Sequence, residues 1–274
     1  MTIDVARIGA IDVHVHVEAS VSTPAPDRVH PVFGIQLPTV PELAELYRGL
    51  NMAAVVFAVD APESLGHRVT NEEVAEQAAL ADDVLIPFGS IDPTRRPDAA
   101  AMARRLVNDH GIRGFKFHPA TQGFFANDPV AYPLYEELES LGVPALFHTG
   151  QVGGGAGARL KYCDPIFLDD VAVDFPRLKI IMAHPSYPWQ DVALSIATTR
   201  PNAYIDLSGW SPRYFSPHLI HQSNTLLKDK VMFGSDYPVI HPERWLADFA
   251  QADFRDAVRP AILKGTAANV LGLT

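Results

Sequence analysis

The run Ile8-Gly9-Ala10-Ile11-Asp12-Val13-His14-Val15-His16-Val17 is apolar and β-branched until its end, where it presents two histidines two residues apart. Side chains alternate across a strand, so His14 and His16 point to one side and can grip a single ion. By the same count Asp12 shares that face one step deeper, where it would orient a ligand histidine or make a buried polar contact. Other apolar runs end in the same way, at Phe147-His148-Thr149-Gly150, Ala183-His184-Pro185 and Phe233-Gly234-Ser235-Asp236-Tyr237-Pro238. Imidazoles with a carboxylate suit a first-row metal, and barrel enzymes place such groups at the C-terminal ends of parallel strands. A carboxylate behind an apolar strand needs a partner, because burying an unpaired charge is expensive. The pattern points to a metal-dependent enzyme.

Outward from this run, short β-branched or aromatic segments recur at 8–17, 53–59, 84–91, 114–117, 143–147, 179–183, 203–207 and 230–233. Helical spacing fills 40–50, 71–81, 99–109, 133–141, 166–175, 191–199 and 217–227, and a helical tail covers 242–271. Alternation of this kind implies right-handed βαβ units and a parallel sheet buried on both faces. Eight units suffice for a distorted TM-type closure, that is, an α/β TIM (β/α)8 barrel, with an open doubly wound sheet as the competing fold. Thr70 before Asn71-Glu72-Glu73 and Asp98 before Ala99 are the expected helix caps, and Gly111 and Gly142 the expected stops. Two connections are long: 18–38, with Pro24, Pro26, Pro31 and Pro38, and 151–164, with Gly153, Gly154, Gly155 and Gly157. They follow strands 1 and 5, both of which end in candidate ligands, so they read as lid loops, with a plain flexible connection as the competing reading of the glycine-rich one. The glycine-rich one lacks the Lys-Ser/Thr pair of a phosphate-binding loop.

The chain has 274 residues, close to the roughly 250 of one barrel, so residues 1–274 are expected to form a single domain. Hydrophobic residues make up 47% and charged residues 20%, a balance that can bury a core. The net charge of −10 argues against a nucleic-acid or anionic-membrane partner. No basic region precedes a long apolar run at the N-terminus, and the lone Cys163 cannot form an intramolecular disulfide. A cytoplasmic protein with a small-molecule substrate is the expectation, and exposed aromatic loop residues raise the prospect of a homodimer. Cys163 lacks an evident base and reads as a structural thiol.

Five ordered motifs carry a resemblance: Ile11-Asp12-Val13-His14-Val15-His16, Gly114-Phe115-Lys116-Phe117-His118-Pro119, Leu146-Phe147-His148-Thr149-Gly150, Ile181-Met182-Ala183-His184-Pro185 and Phe233-Gly234-Ser235-Asp236-Tyr237-Pro238. With the ending from Ile262 to Leu273, the chain resembles the amidohydrolase superfamily, in its aminocarboxymuconate-semialdehyde-decarboxylase-like branch. The resemblance implies that His14, His16, His148 and Asp236 surround one divalent metal, Zn2+ by expectation and Mn2+ as the alternative. It places His184 beside the metal-bound water, so that His184 and Asp236 are the catalytic pair. Lys116 shares a strand face with His118, and related two-metal enzymes carry a bridging carbamylated lysine on the corresponding strand. A single metal is the favoured reading, which leaves Lys116 or His118 to bind an anionic substrate group; the competing reading of Lys116 is a buried lysine paired with a carboxylate.

Aromatic residues follow the strands at Phe124, Phe125, Tyr187, Trp189, Trp210, Tyr214, Phe215 and Tyr237. Trp210 and Tyr237 are taken as substrate contacts that could stack on a flat ring, and Arg159 and Lys161 as candidate holders of a carboxylate or phosphate. The leading expectation is a hydrolase in which metal-activated water splits a lactone, ester, amide or β-keto carbon–carbon bond. The alternative is a non-oxidative decarboxylase of an aromatic or unsaturated carboxylate at the same site. A non-enzymatic barrel would have no reason to align ligands at the strand ends.

Overall fold

The computed structural model describes residues 2–23, 28–30, 34–61, 69–153 and 157–273. Among them nine β segments occur, β1 (Ala10–His16), β2 (Met52–Phe57), β3 (Leu85–Pro87), β4 (Gly89–Ser90), β5 (Phe115–Phe117), β6 (Ala145–His148), β7 (Ile180–Ala183), β8 (Ala203–Asp206) and β9 (Val231–Met232). Neighbours pair in parallel in chain order, β1-β2-β3 and β4 through β9. The run expected at 84–91 is one barrel strand in two pieces: the Phe88 N–H donates to Val56 and the Gly89 N–H to Gly114, so the strand changes partner at Phe88. The first and last strands meet through the Val13 N–H to Phe233 (3.1 Å), the Asp236 N–H to His14 (3.0 Å) and the His16 N–H to Tyr237 (2.8 Å). Eight strands thus form a TIM barrel.

Interior and exterior follow strand parity. Ile11, Val13, Ala53, Val55, Phe57, Ile86, Leu146, Ile181 and Met232 form one buried cluster inside the barrel. Ala54, Val56, Phe115, Phe117, Phe147, Ile180, Met182 and Ile205 face outward, under helices that supply Leu43, Leu106, Leu134, Val171 and Leu194. These helices are α1 (Val40–Gly49), α2 (Asn71–Ala79), α3 (Ala99–His110), the short α4 (Pro119–Gln122), α5 (Tyr132–Leu141), α6 (Phe167–Asp174), α7 (Gln190–Thr199), α8 (Pro217–Ser223), α9 (Pro242–Gln251) and α10 (Thr266–Leu271). No helix among the described residues is long and apolar enough to cross a membrane.

β1 breaks the simple alternation. Its register against β2 slips between Asp12 and Val15, so β1 spends one residue more than its partner there. Ile11 and Val13 face inward before the slip, whereas Val15 faces outward after it. Asp12 therefore does not share a face with His14 and His16: its Oδ2 accepts from the Tyr47 hydroxyl of α1 at 2.6 Å, outside the barrel wall.

Several local signals hold. Thr70 accepts from the Glu73 N–H, and Gly111 and Gly142 end α3 and α5 in the left-handed region at φ 74° and 70°. Asp98 precedes α3 but makes no side-chain cap bond. The expected continuous tail at 242–271 is interrupted: α9 stops at Gln251, and after Pro260 a wide turn at Ala261–Gly265 leads into α10. Ala252, extended at φ −79° and ψ 153°, ends α9, and Pro260 stands in the first turn of the second helical stretch, where its missing N–H breaks no bond. In the 18–38 connection Val29 and Gln36 form an antiparallel bridge. Pro24, Pro26, Pro31, Gly154 and Gly155 lie outside the described residues.

Candidate metal centre

Pairing of β1 with the segment after β9 brings Asp236 onto the two histidines of the first strand. Asp236 Oδ1 lies 3.2 Å from His14 Nε2 and 3.3 Å from His16 Nε2. An ion with metal–ligand bonds of about 2.0–2.1 Å in a tetrahedral shell sets neighbouring ligand atoms about 3.3 Å apart. Ligand atoms of His14, His184 and Asp236 all lie within 4.8 Å of one another. This group includes His184, which the sequence reading sets beside the ion. His148 sits one ring further out, its Nδ1 2.9 Å from His184 Nε2 and its Nε2 3.2 Å from the Gln151 carbonyl. Neutral imidazoles and a carboxylate are the donors a divalent ion takes, so the residues fit such an ion.

Buried polar groups hold these side chains. Asp12 Oδ1 accepts from the backbone N–H of Ser235 (2.9 Å) and of His14 (3.2 Å), tying the turn before Asp236 to the first strand. Burial pushes the Asp12 carboxyl up to about 7, against these hydrogen bonds. The group that reaches the His14 ring is Asp206, at the end of β8: its Oδ2 lies 2.6 Å from His14 Nδ1. Nothing in the sequence reading marks Asp206, although it closes an apolar strand in the same position as the candidate ligands.

Lys116 projects into the barrel from β5, fully buried, with Nζ 3.0 Å from His14 Nε2 and 5.1 Å from the centre of the Phe57 ring. Burial lowers its ammonium to about 8, while Asp236 and Asp206 oppose the shift. His118 stacks on His148 with ring centres 4.1 Å apart, and its Nδ1 accepts from the Thr121 N–H at the start of α4. Burial and nearby Lys116 hold His118 down at about 3. Burial also keeps His14 and His148 well below the usual histidine range. For His16, burial acts against protonation, but Asp236 and Glu18 outweigh it and raise the imidazole to about 9. Burial alone would raise Asp236; His14, His16 and His184 hold it well below the carboxylate range.

The backbone is specialised here too. His184, Ser186 and Asp236 adopt φ of 72°, 58° and 66°, left-handed conformations that cost about 1–3 kcal/mol each outside glycine. They turn the chain sharply at two strand ends and aim His184 and Asp236 inward. Trp210 and Tyr237 are half-buried; Trp210 lies 5.8 Å from the Tyr187 ring and Tyr237 packs edge-on against His241. Phe124 and Phe215 belong to the outer core rather than the mouth. Arg159 is exposed, and Lys161 sits over the Phe125 and Tyr162 rings at 5.4 and 5.0 Å. Cys163 is buried, its thiol pushed up by burial to about 12.

The strand-end geometry coincides with a family match: the amidohydrolase model matches residues 11–273. The chain is a member of the amidohydrolase family. This amidohydrolase is 23% identical over 241 residues to the 2-amino-3-carboxymuconate-6-semialdehyde decarboxylase of Dictyostelium discoideum, a match covering 74% of this chain. The chain spans 65% of that relative's length. Among solved structures, an uncharacterised TIM-barrel protein of Bordetella bronchiseptica is 25% identical, with a TM-score of 0.74 over 96% of this chain and 98% of that one. A dihydroxybenzoic acid decarboxylase of Polaromonas, solved with manganese and 2-nitroresorcinol, is 18% identical, with a TM-score of 0.72 over 97% of each chain. The amidohydrolase family is one of enzymes.

Proposed function

We propose that this amidohydrolase is a metal-dependent, non-oxidative decarboxylase of a small aromatic or unsaturated carboxylate. The observation that carries the reading is the convergence of buried His14 and His184 with half-buried Asp236 beside the Lys116 ammonium. Such a site could hold an ion and sets the Lys116 ammonium beside it for a substrate carboxylate. The Dictyostelium and Polaromonas relatives favour decarboxylation over the hydrolysis that leads the sequence reading.

In this proposal His14, His16 and Asp236 hold the ion, with His148 at the rim, and Zn2+ or Mn2+ suits the donors. The bound ion would supply a Lewis acid that polarises the substrate oxygens. Lys116 pairs with the carboxylate and His118 presents its ring beside it, while Trp210 and Tyr237 flank an unsaturated ring. The bond from the ring to the carboxyl carbon breaks, carbon dioxide leaves, and a proton takes its place. His184 Nε2, 2.9 Å from His148 Nδ1, holds and moves that proton.

The test is to incubate metal-loaded protein with a panel of phenolic and muconate-type carboxylates in deuterated and in oxygen-18 water. Carbon dioxide release with deuterium on the product carbon is expected. Oxygen-18 entering a product carboxylate, without carbon dioxide, would establish hydrolysis instead.

A further inference from the structure

The turn Asp206-Leu207-Ser208-Gly209 lies behind the candidate metal centre, outside every motif from which the site was read. Its polar atoms converge on two imidazoles. Asp206 Oδ2 lies 2.6 Å from His14 Nδ1, and the Ser208 hydroxyl lies 3.0 Å from His14 Nδ1 and 3.0 Å from His184 Nδ1. The Ser208 carbonyl is 3.1 Å from the same His184 nitrogen. Asp206 is itself held by the Ser208 N–H, which donates to Oδ1 at 2.7 Å. All four side chains are buried.

The surrounding backbone leaves room for this turn and little more. A Cβ at Gly234 would come within 2.3 Å of Asp206 Oδ1, and one at Gly209 within 2.5 Å of His184 Nδ1. Both values lie far inside van der Waals contact, so glycine is required for the approach.

From these contacts we infer that Asp206 and Ser208 are positioning residues: Asp206 holds His14 in the Nδ1–H tautomer, and the Ser208 hydroxyl ties the His14 and His184 rings to one turn. A neutral imidazole carries one ring proton, and a carboxylate or carbonyl facing Nδ1 can only accept it. On His14 the contact to Asp206 (2.6 Å) is shorter than the one from Nε2 to Asp236 (3.2 Å), and Lys116 Nζ donates to Nε2 from 3.0 Å, so the ring proton lies at Nδ1. Nε2 of His14 is left bare, on the side of Lys116 and Asp236. A carboxylate behind a ligand imidazole also fixes the ring plane and raises its basicity. The shared Ser208 hydroxyl makes one turn serve both the ion-holding ring and the proton-handling ring. The inference rests on the metal-centre reading proposed above and deepens it.

Two readouts test it on the full chain. Chelator competition gives the Zn2+ and Mn2+ dissociation constants, and long-range proton–nitrogen correlation spectra of metal-free protein report the imidazole tautomers. Asp206→Asn preserves shape but can offer an amide donor to Nδ1, which selects the opposite tautomer. It should weaken ion binding about 10–100-fold and move His14 toward Nε2–H. Ser208→Ala should weaken binding by about tenfold or less and perturb the His184 signals, while Asp206 keeps His14 as Nδ1–H.

If either readout is unchanged in Asp206→Asn, the inference is overturned. Should that variant fail to fold, Ser208→Ala decides, and unchanged affinity with unchanged His184 signals overturns it equally. Wild-type protein that holds neither ion refutes the metal centre itself. The tautomer spectra of that same protein still decide the positioning role, with Nε2–H at His14 overturning it and Nδ1–H there supporting it.

Discussion

Gly209 and Gly111 share a φ of 74°, but only one of them stands against the site. An alanine at either position pays for the left-handed conformation, about 1–2 kcal/mol. At Gly111, the C-cap of α3, a Cβ meets nothing within 4 Å, so Gly111→Ala should cost only that amount. At Gly209 the Cβ lies 2.5 Å from His184 Nδ1, 3.0 Å from its Cε1 and 3.3 Å from Asp236 Oδ2. The His184 ring would have to retreat by about 1 Å to restore van der Waals contact. It has little freedom to do so, with Nδ1 on Ser208, Nε2 against His148 and the His14 ring centre 4.9 Å away. Overpacking adds about 1–3 kcal/mol and the strained hydrogen bond about 1 kcal/mol more. Gly209→Ala should therefore lose about 3–6 kcal/mol in total. At about 2–4 °C per kcal/mol for a chain of this size class, Tm should fall by about 6–24 °C, against about 2–8 °C for Gly111→Ala. Scanning calorimetry of the two variants beside the wild type measures the difference, with urea denaturation as a second estimate. Equal losses would show that the packing around His184 yields freely, and the reasoning about a rigid centre would fail.

Three further outcomes follow from the same geometry. His16→Ala and Asp236→Ala should lose both ion and turnover, whereas His184→Ala should keep the ion on His14, His16 and Asp236 and lose turnover. Elemental analysis alongside carbon dioxide release reads both, and loss of the ion from His184→Ala would remove His184 from proton handling. On the surface, hydrogen bonds from Arg28 hold the Glu42 carboxyl at about 2, below its ordinary 4.5. A depressed folded value means that the pair's contribution is complete above pH 4.5 and is lost as pH falls through about 2. The Tm gap between wild type and Arg28→Ala should accordingly close over that window, and a gap independent of pH would contradict the pairing. Cys163, buried with its thiol raised to about 12, should resist an aromatic disulfide reagent in the native protein and react at once in denaturant. Rapid native labelling would contradict its burial.

The barrel was legible in the sequence because eight buried parallel strands leave near-continuous apolar runs, and the candidate ligands end those runs. His14, His16, His148, His184 and Asp236 could be found by that rule, and the structure gathers them at one end of the barrel. Asp206 obeys the rule as well, closing the run 203–206, but a carboxylate at one more strand end has no partner visible in sequence. Its partner, His14, lies 192 residues away. Contacts of that separation exist only once the barrel has closed. The split at Phe88 and the break after Gln251 were hidden for a related reason: they reflect which neighbour a strand bonds and where a helix docks, and local periodicity encodes neither.

The bulge in β1 shows how a local irregularity decides the site. Strict alternation would turn Asp12, His14 and His16 to one face, which would put two carboxylates, Asp12 and Asp236, beside the same imidazoles. Inserting one residue between Asp12 and Val15 lets Ile11 and Val13 fill the interior below while His14 and His16 still point inward above. Asp12 is released to the outer wall, where Tyr47 takes one carboxylate oxygen and the backbone of Ser235 and His14 the other. One buried carboxylate thereby fastens the turn that carries Asp236 to the strand that carries the histidines. Asp236 is left as the acid facing His14 Nε2 and His16 Nε2, and Asp206 as the acid behind His14. His14, His16 and His184 keep Asp236 ionised, and Asp12, fastened at the outer wall, adds no second carboxylate to those imidazoles.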